Sequence, residues 1–274
     1  MKKLFCILLC VFVLLLCSSC SLFAQKTSSF SIEFIDVGQG DAAIVECDGH
    51  YMLIDGGDTV AGEKVYNALE KNGIQKLDIL AISHLHSDHI GGLTKALTYA
   101  SSIKMTISNS EATDSKVFRD FEHQLGINDA TIRVPKVGDK YSLGSAEVRV
   151  LDVSDVEDND SLVLLITYGK TTFLFTGDIG KNAQRRLVNA DEKNYDISLM
   201  KMPHHGGDTT IAFLNKFKPE NAIISVGKGN NYGHPYKETL EMLKQADTKI
   251  FRTDQDGDII VRSDGKRLTI KSSK

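Results

Sequence analysis

The sequence predicts an α/β sandwich: two mixed β-sheets packed face to face, with helices on their outer faces. Three observations lead to it. Strand hairpins followed by strand–helix alternation occur twice, in halves that share layout rather than obvious sequence similarity. The chain has 274 residues, enough to bury a sizeable core in one large domain. Of its five cysteines, four fall within the first 20 residues, leaving Cys47 alone, so the fold rests on its core and not on disulfides.

Residues 1–20 stand apart from that domain. Lys2 and Lys3 precede an apolar run over 4–16, followed by Cys17-Ser18-Ser19-Cys20. A basic start, a short apolar segment and small residues before a cut describe an export signal. The run is shorter than the roughly 20 apolar residues of a membrane-spanning helix. The box ending at Cys20 resembles that of bacterial lipoproteins, which makes Cys20 the expected lipid anchor on the outer side of the cytoplasmic membrane; plain secretion is the alternative. Residues 21–29 read as a polar tether and 30–274 as the folded domain.

Within the domain, residues 31–37, 42–47 and 51–54 read as three short strands, broken by Gly38-Gln39-Gly40 and Asp48-Gly49. Residues 62–71 place Val65, Ala68 and Leu69 at helical spacing and stop at Asn72-Gly73. A buried strand over 77–82 follows, then a helix over 93–100, an extended run over 103–107 and a helix over 115–125 before Gly126. The layout then repeats. Strands over 146–151, 161–168 and 171–176, the last two joined by Tyr168-Gly169-Lys170, lead to a helix over 181–189. Strands over 196–202 and 222–226, a helix over 236–245, and short strands at 250–251, 258–261 and 268–270 complete the chain.

Chemistry concentrates at the strand ends. His84-Leu85-His86-Ser87-Asp88-His89 follows the apolar run over 77–82 and runs straight into Gly91-Gly92. Three imidazoles and a carboxylate in six residues are a metal-site signature, since His and Asp are ligands for borderline divalent metals. Earlier in the chain Asp55 follows the apolar Leu53-Ile54 and precedes Gly56-Gly57, Asp178 follows Phe173 to Gly177, and His204-His205 precede Gly206-Gly207. Asp at a strand–turn junction is often only a turn residue, but four such strand ends exceed what turn chemistry requires. Gly38-Gln39-Gly40-Asp41 offers backbone N–H groups to an anionic oxygen, or is simply a hairpin bend. Cys47 reads as a buried, inert thiol.

With these motifs the chain resembles the metallo-β-lactamase-fold hydrolases, whose signature is His-x-His-x-Asp-His with later Asp and His ligands. More narrowly it resembles the C-terminal hydrolase domain of ComEC-type competence proteins, in the stretches 36–42, 53–57, 83–92, 159–165, 173–178, 203–206, 231–235 and 252–257. The resemblance covers nearly all of the chain after residue 30. It implies the αββα sandwich and a site for two divalent metal ions, zinc or manganese. His84 and His86 would hold one metal, and Asp88 and His89 the other. Asp178 would bridge them and His204 would complete the set. His205 is ranked below His204, because neighbours on an extended segment point apart. Asp55 would orient a ligand imidazole. Many relatives carry a further His before the bridging Asp. Here that region reads Asp158-Asn159-Asp160, so Asn159 or Asp160 would line or weakly bind the first metal, and His123, the one histidine in that interval, reads as a surface or core residue.

The implied activity is hydrolysis of a phosphodiester, with single-stranded DNA first among substrates. Asp88 would help orient water, and His234, in Asn231-Tyr232-Gly233-His234-Pro235, would donate a proton or bind phosphate. The channel regions of competence proteins have no counterpart in this sequence, so DNA uptake is not implied. The formal net charge of −4 becomes −6 once the signal's two lysines are lost, which argues against a tight nonspecific grip on nucleic acid. A cell-envelope phosphodiester of the choline-phosphate or teichoic-acid type is therefore the alternative substrate, and a catalytically inactive metal-binding scaffold the alternative class.

Overall fold

The computed structural model of the protein describes residues 29–156 and 160–274. The export signal with Cys20, the tether up to residue 28, and Asn159 lie outside the described residues.

Among the described residues, two large mixed sheets form the centre of the molecule. The first runs, edge to edge, Leu268–Ser272, Ile259–Ser263, Phe30–Phe34, Ala43–Cys47, His50–Ile54, Ile79–Ile82, Thr106–Ser108 and Ile132–Arg133. The second runs Lys249–Arg252, Asn221–Ile224, Leu199–Lys201, Thr171–Phe175, Val163–Tyr168, Ala146–Asp152 and Lys140–Leu143. Each sheet is antiparallel where tight turns join consecutive strands and parallel where helices cross between them.

The side-chain pattern of the strands explains the layers. Phe30–Phe34 alternates, with Phe30, Ile32 and Phe34 buried and Ser31 and Glu33 on the other face. Its buried face meets the second sheet, where Phe30 stacks on Phe173 at 4.6 Å and Phe34 on Phe175 at 5.7 Å between ring centroids. Ile79–Ile82 is buried on both faces, because helices cover its outer side. Val65, Leu69, Leu93, Phe118, Phe121 and Leu125 pack there against Leu53, Leu80 and Ile82. Leu187, Phe213, Phe217 and Leu243 do the same for Leu174, Met200 and Ile224 of the second sheet. Helix, sheet, sheet and helix thus enclose three layers of apolar side chains, the αββα arrangement expected from the sequence.

Local differences have local causes. The helix expected over 93–100 is regular only at Leu93–Ala96. Lys116–Ile127 runs past Gly126, and Ser115 starts it by accepting the Phe118 N–H at 3.0 Å. Ile211–Phe217 is a helix that the spacing does not predict; Thr210 caps it through its hydroxyl. His123 lies exposed on Lys116–Ile127 and has no part in the site. Cys47 is buried and unpaired, as expected.

Candidate metal centre

The parallel halves of both sheets point their carboxyl ends to one edge. Asp55, Ser83-His84, Asp178, His204-His205 and Ser225 all follow strands that end there. Loops at this edge interlock through backbone bonds: Asp41 N–H donates to Asp88 O at 3.2 Å, and Gly56 N–H to His89 O at 2.7 Å. Glycines allow these close approaches: a Cβ on Gly40 would lie 2.3 Å from the Asp88 carbonyl oxygen, and one on Gly92 2.1 Å from that of Gly56.

His89 and His205 each have one ring nitrogen tied and the other presented. His89 Nδ1 lies 3.0 Å from Asp55 Oδ2 and 3.0 Å from Ser83 Oγ, while its Nε2 faces Asp178 Oδ2 at 3.3 Å. His205 Nδ1 lies 2.9 Å from the Ser225 carbonyl, which only accepts, so the proton belongs on Nδ1. Its Nε2 faces Asp88 Oδ2 at 3.2 Å and Asp178 Oδ2 at 3.3 Å. One donor atom each from Asp88, His89, Asp178 and His205 falls within 4.8 Å of all the others. Beside this quartet, the His84 ring lies tilted against that of His89, centroids 4.1 Å apart, and its Nε2 meets His86 Nδ1 at 2.9 Å. Ser161 accepts the Asp178 N–H at 3.0 Å and fixes that residue's backbone.

The electrostatics favour a cation. Burial opposes charge on His89 and His205, but Asp178 with Asp55, and Asp178 with Asp41, lift the two imidazoles well above the usual histidine range. Burial likewise pushes the Asp178 carboxyl up, yet His205 and His89 hold it well below the usual carboxylate range; Asp88 is lowered against burial in the same way. His84 moves the other way: burial and the neighbouring His89 push it well below its ordinary value, which favours the neutral ring. The His89 Nε2 and Asp178 Oδ1 atoms are buried without a hydrogen-bond partner. A divalent metal fits this set, since it would take the place of imidazolium protons and engage both orphaned atoms. Imidazole nitrogen with carboxylate oxygen suits zinc and manganese alike.

Two expectations need correction. The ranking of His204 over His205 assumed an extended segment, but both residues are left-handed (φ 47° and 55°), so they do not alternate. His205 is 1 % exposed and sits in the quartet; His204 Nε2 is 3.9 Å from Asp178 Oδ2, with its side chain 31 % exposed. Asp160 is not free to bind metal: Arg186 donates to its Oδ1 at 2.7 Å and Ser154 to its Oδ2 at 2.6 Å. Of the two readings of the Gly38–Asp41 turn, the hairpin bend accounts for the Gly38 N–H, which donates to Asp36 Oδ1 at 3.3 Å, while the Gln39 side chain ties the turn to Gly227 by accepting its N–H at 3.1 Å.

His234 lies 8 % exposed beside His204, ring centroids 4.9 Å apart, and burial with both neighbouring histidines pushes it down to about 4. Sequence reasoning missed Ser83, Ser161 and Lys201. For Lys201 a signal was present, a lysine inside the apolar run Leu199-Met200-Lys201-Met202, where burial demands a partner.

Comparisons with known proteins agree with this geometry. The family description "Metallo-beta-lactamase superfamily" matches residues 35–228. ComE operon protein 3 of Bacillus subtilis (strain 168) is 31 % identical over 263 residues, covering 86 % of this chain and 33 % of its own. Competence protein ComA of Neisseria gonorrhoeae is 27 % identical, covering 81 % and 30 %. The chain thus spans about a third of the length of these curated relatives. Among solved structures, the metallo-beta-lactamase fold protein YhfI from Bacillus subtilis shares the fold at a TM-score of 0.57, with 11 % identity over 85 % of this chain and 100 % of that one.

Proposed function

The chain belongs to the metallo-β-lactamase superfamily of metal-dependent hydrolases, and from that premise we propose that it is an exported, dinuclear phosphodiesterase acting first on DNA. The observation that carries the reading is the convergence of Asp88, His89, Asp178 and His205 on one point, with the facing nitrogens of His84 and His86 beside it. The resemblance to competence-protein hydrolase domains is what puts DNA ahead of other phosphodiesters.

When bound, a pair of divalent cations lowers the pKa of water and stabilises the charge on the attacking and leaving oxygens of a phosphodiester. The protein's own residues do the rest. Asp55 and Ser83 fix the ring of His89, Ser225 fixes that of His205, and Ser161 anchors Asp178. Asp88, 28 % exposed at its side chain, reaches the open face and orients the attacking water. His234 offers a ring nitrogen to a phosphoryl or leaving oxygen. We also assign Cys20 as the lipid anchor that keeps the exported chain at the outer face of the cytoplasmic membrane. Among the described residues no helix is long and apolar enough to cross a membrane.

The formal charge of −4 favours a second reading, a cell-envelope phosphodiester of the choline-phosphate or teichoic-acid type. The test is a screen of zinc- and manganese-loaded protein against single-stranded DNA, bis-p-nitrophenyl phosphate and a choline-phosphate ester. Cleavage of DNA together with the small diester is expected. Turnover of a small diester without DNA cleavage would shift the assignment to the second reading, and no turnover at all with two metals bound would leave a metal-binding scaffold.

A further inference from the structure

We propose that Lys201 is a positioning residue for the metal centre, a buried ammonium that fixes Asp41 and, through it, the imidazole of His205. Lys201 is 3 % exposed, and its Nζ donates to Asp41 Oδ2 at 2.5 Å and to the Met202 carbonyl at 3.0 Å. Lysines are almost never this buried unless paired. The other Asp41 oxygen, Oδ1, faces His205 Nδ1 at 3.3 Å, beside the Ser225 carbonyl that accepts that nitrogen's proton at 2.9 Å, so the carboxylate adds its charge to the hold that Ser225 has on the ring. Asp41 Oδ2 also stands 4.0 Å from His89 Nδ1. One carboxylate therefore sits behind two imidazoles whose Nε2 atoms face Asp178, and the lysine decides where that carboxylate points.

The arrangement also explains why the acidic group behind the ligands does not itself compete for metal. Asp41, Asp55 and His89 bring three donor atoms within 4.8 Å of one another, a constellation that draws cations. Lys201 supplies the cation covalently, at Asp41. The divalent ions are thereby directed to the side where His89 and His205 present Nε2. The partnership joins distant segments, since Asp41 comes from the first hairpin turn and Lys201 from the strand that leads into the paired histidines. Loss of a group that orients a metal-binding imidazole typically weakens metal affinity about 10–100-fold.

The inference rests on the two-metal reading, and zinc titration by calorimetry separates the two. Wild-type protein is expected to bind two equivalents. Lys201→Met keeps most of the aliphatic stem, and is expected to weaken one site about 10–100-fold while leaving the other unchanged. Cobalt(II) loading gives an independent readout, because the visible absorption of the weakened site should change with its ligand geometry. If Lys201→Met fails to fold around an unpaired carboxylate, Asp41→Ala/Lys201→Met removes both charges together and is expected to fold with the same weakened site. Two zinc equivalents at wild-type affinity in either variant would overturn the positioning role. Wild-type protein that binds no zinc would instead overturn the two-metal reading.

Discussion

At the residue scale, the site is a set of imidazoles whose free nitrogens are chosen by the groups behind them. Asp55 is the clearest case: one oxygen lies 3.0 Å from His89 Nδ1 and the other accepts the Ser83 N–H at 2.7 Å. Asp55→Asn keeps the shape but loses the carboxylate, and should weaken zinc binding about 10–100-fold in a chelator competition. Unchanged affinity would remove Asp55 from that role. The His-rich segment, Asp55 and Asp178 were legible in the sequence because His and Asp at strand ends beside glycine have few bland explanations. Ser83 and Ser161 were not, because a hydroxyl that steadies a ligand looks like any serine. The ranking of His204 over His205 rests on alternation along an extended backbone, and two left-handed residues in a row remove that premise.

At the scale of elements, the turns of the metal-site edge depend on glycine where another backbone comes close. Gly40 has φ 126°, and its missing Cβ makes room for the Asp88 carbonyl. Gly40→Ala must push the Asp88 segment away, at about 1–3 kcal/mol by analogy with overpacked cores. In a chain of this length that is a fall in melting temperature of roughly 2–4 °C per kcal/mol, accompanied by weaker metal binding. A variant with wild-type melting and wild-type zinc affinity would show that the two loops yield freely. Hairpins and amphipathic helices such as Gly62–Lys71 were legible from periodicity. Edge strands such as Lys140–Leu143, with one residue in four buried, and the seven-residue helix Ile211–Phe217 carry too little pattern to be read alone.

At the scale of the whole molecule, two halves with similar layout meet in one core and share one site. Phe173 is fully buried and stacks on Phe30 of the other sheet, so Phe173→Ala should cost about 3–5 kcal/mol in denaturant unfolding. A loss under 1 kcal/mol would mean the sheets repack without it. Cys47 is buried, and burial pushes its thiol up, so alkylation by iodoacetamide should be slow in the native protein and fast after unfolding. The αββα class was legible because strand hairpins and strand–helix alternation recur in both halves. The pairing of the halves across the site was less so, because contacts such as Asp41 with Lys201 join residues far apart in sequence. If both halves build one centre for two metals, metal content by mass spectrometry shows it most directly. Wild-type protein loaded with zinc or manganese and freed of loose ions should retain two equivalents per chain, and Asp178→Ala no more than one. A wild-type chain that retains one equivalent or none, or an Asp178→Ala variant that still retains two, would contradict it.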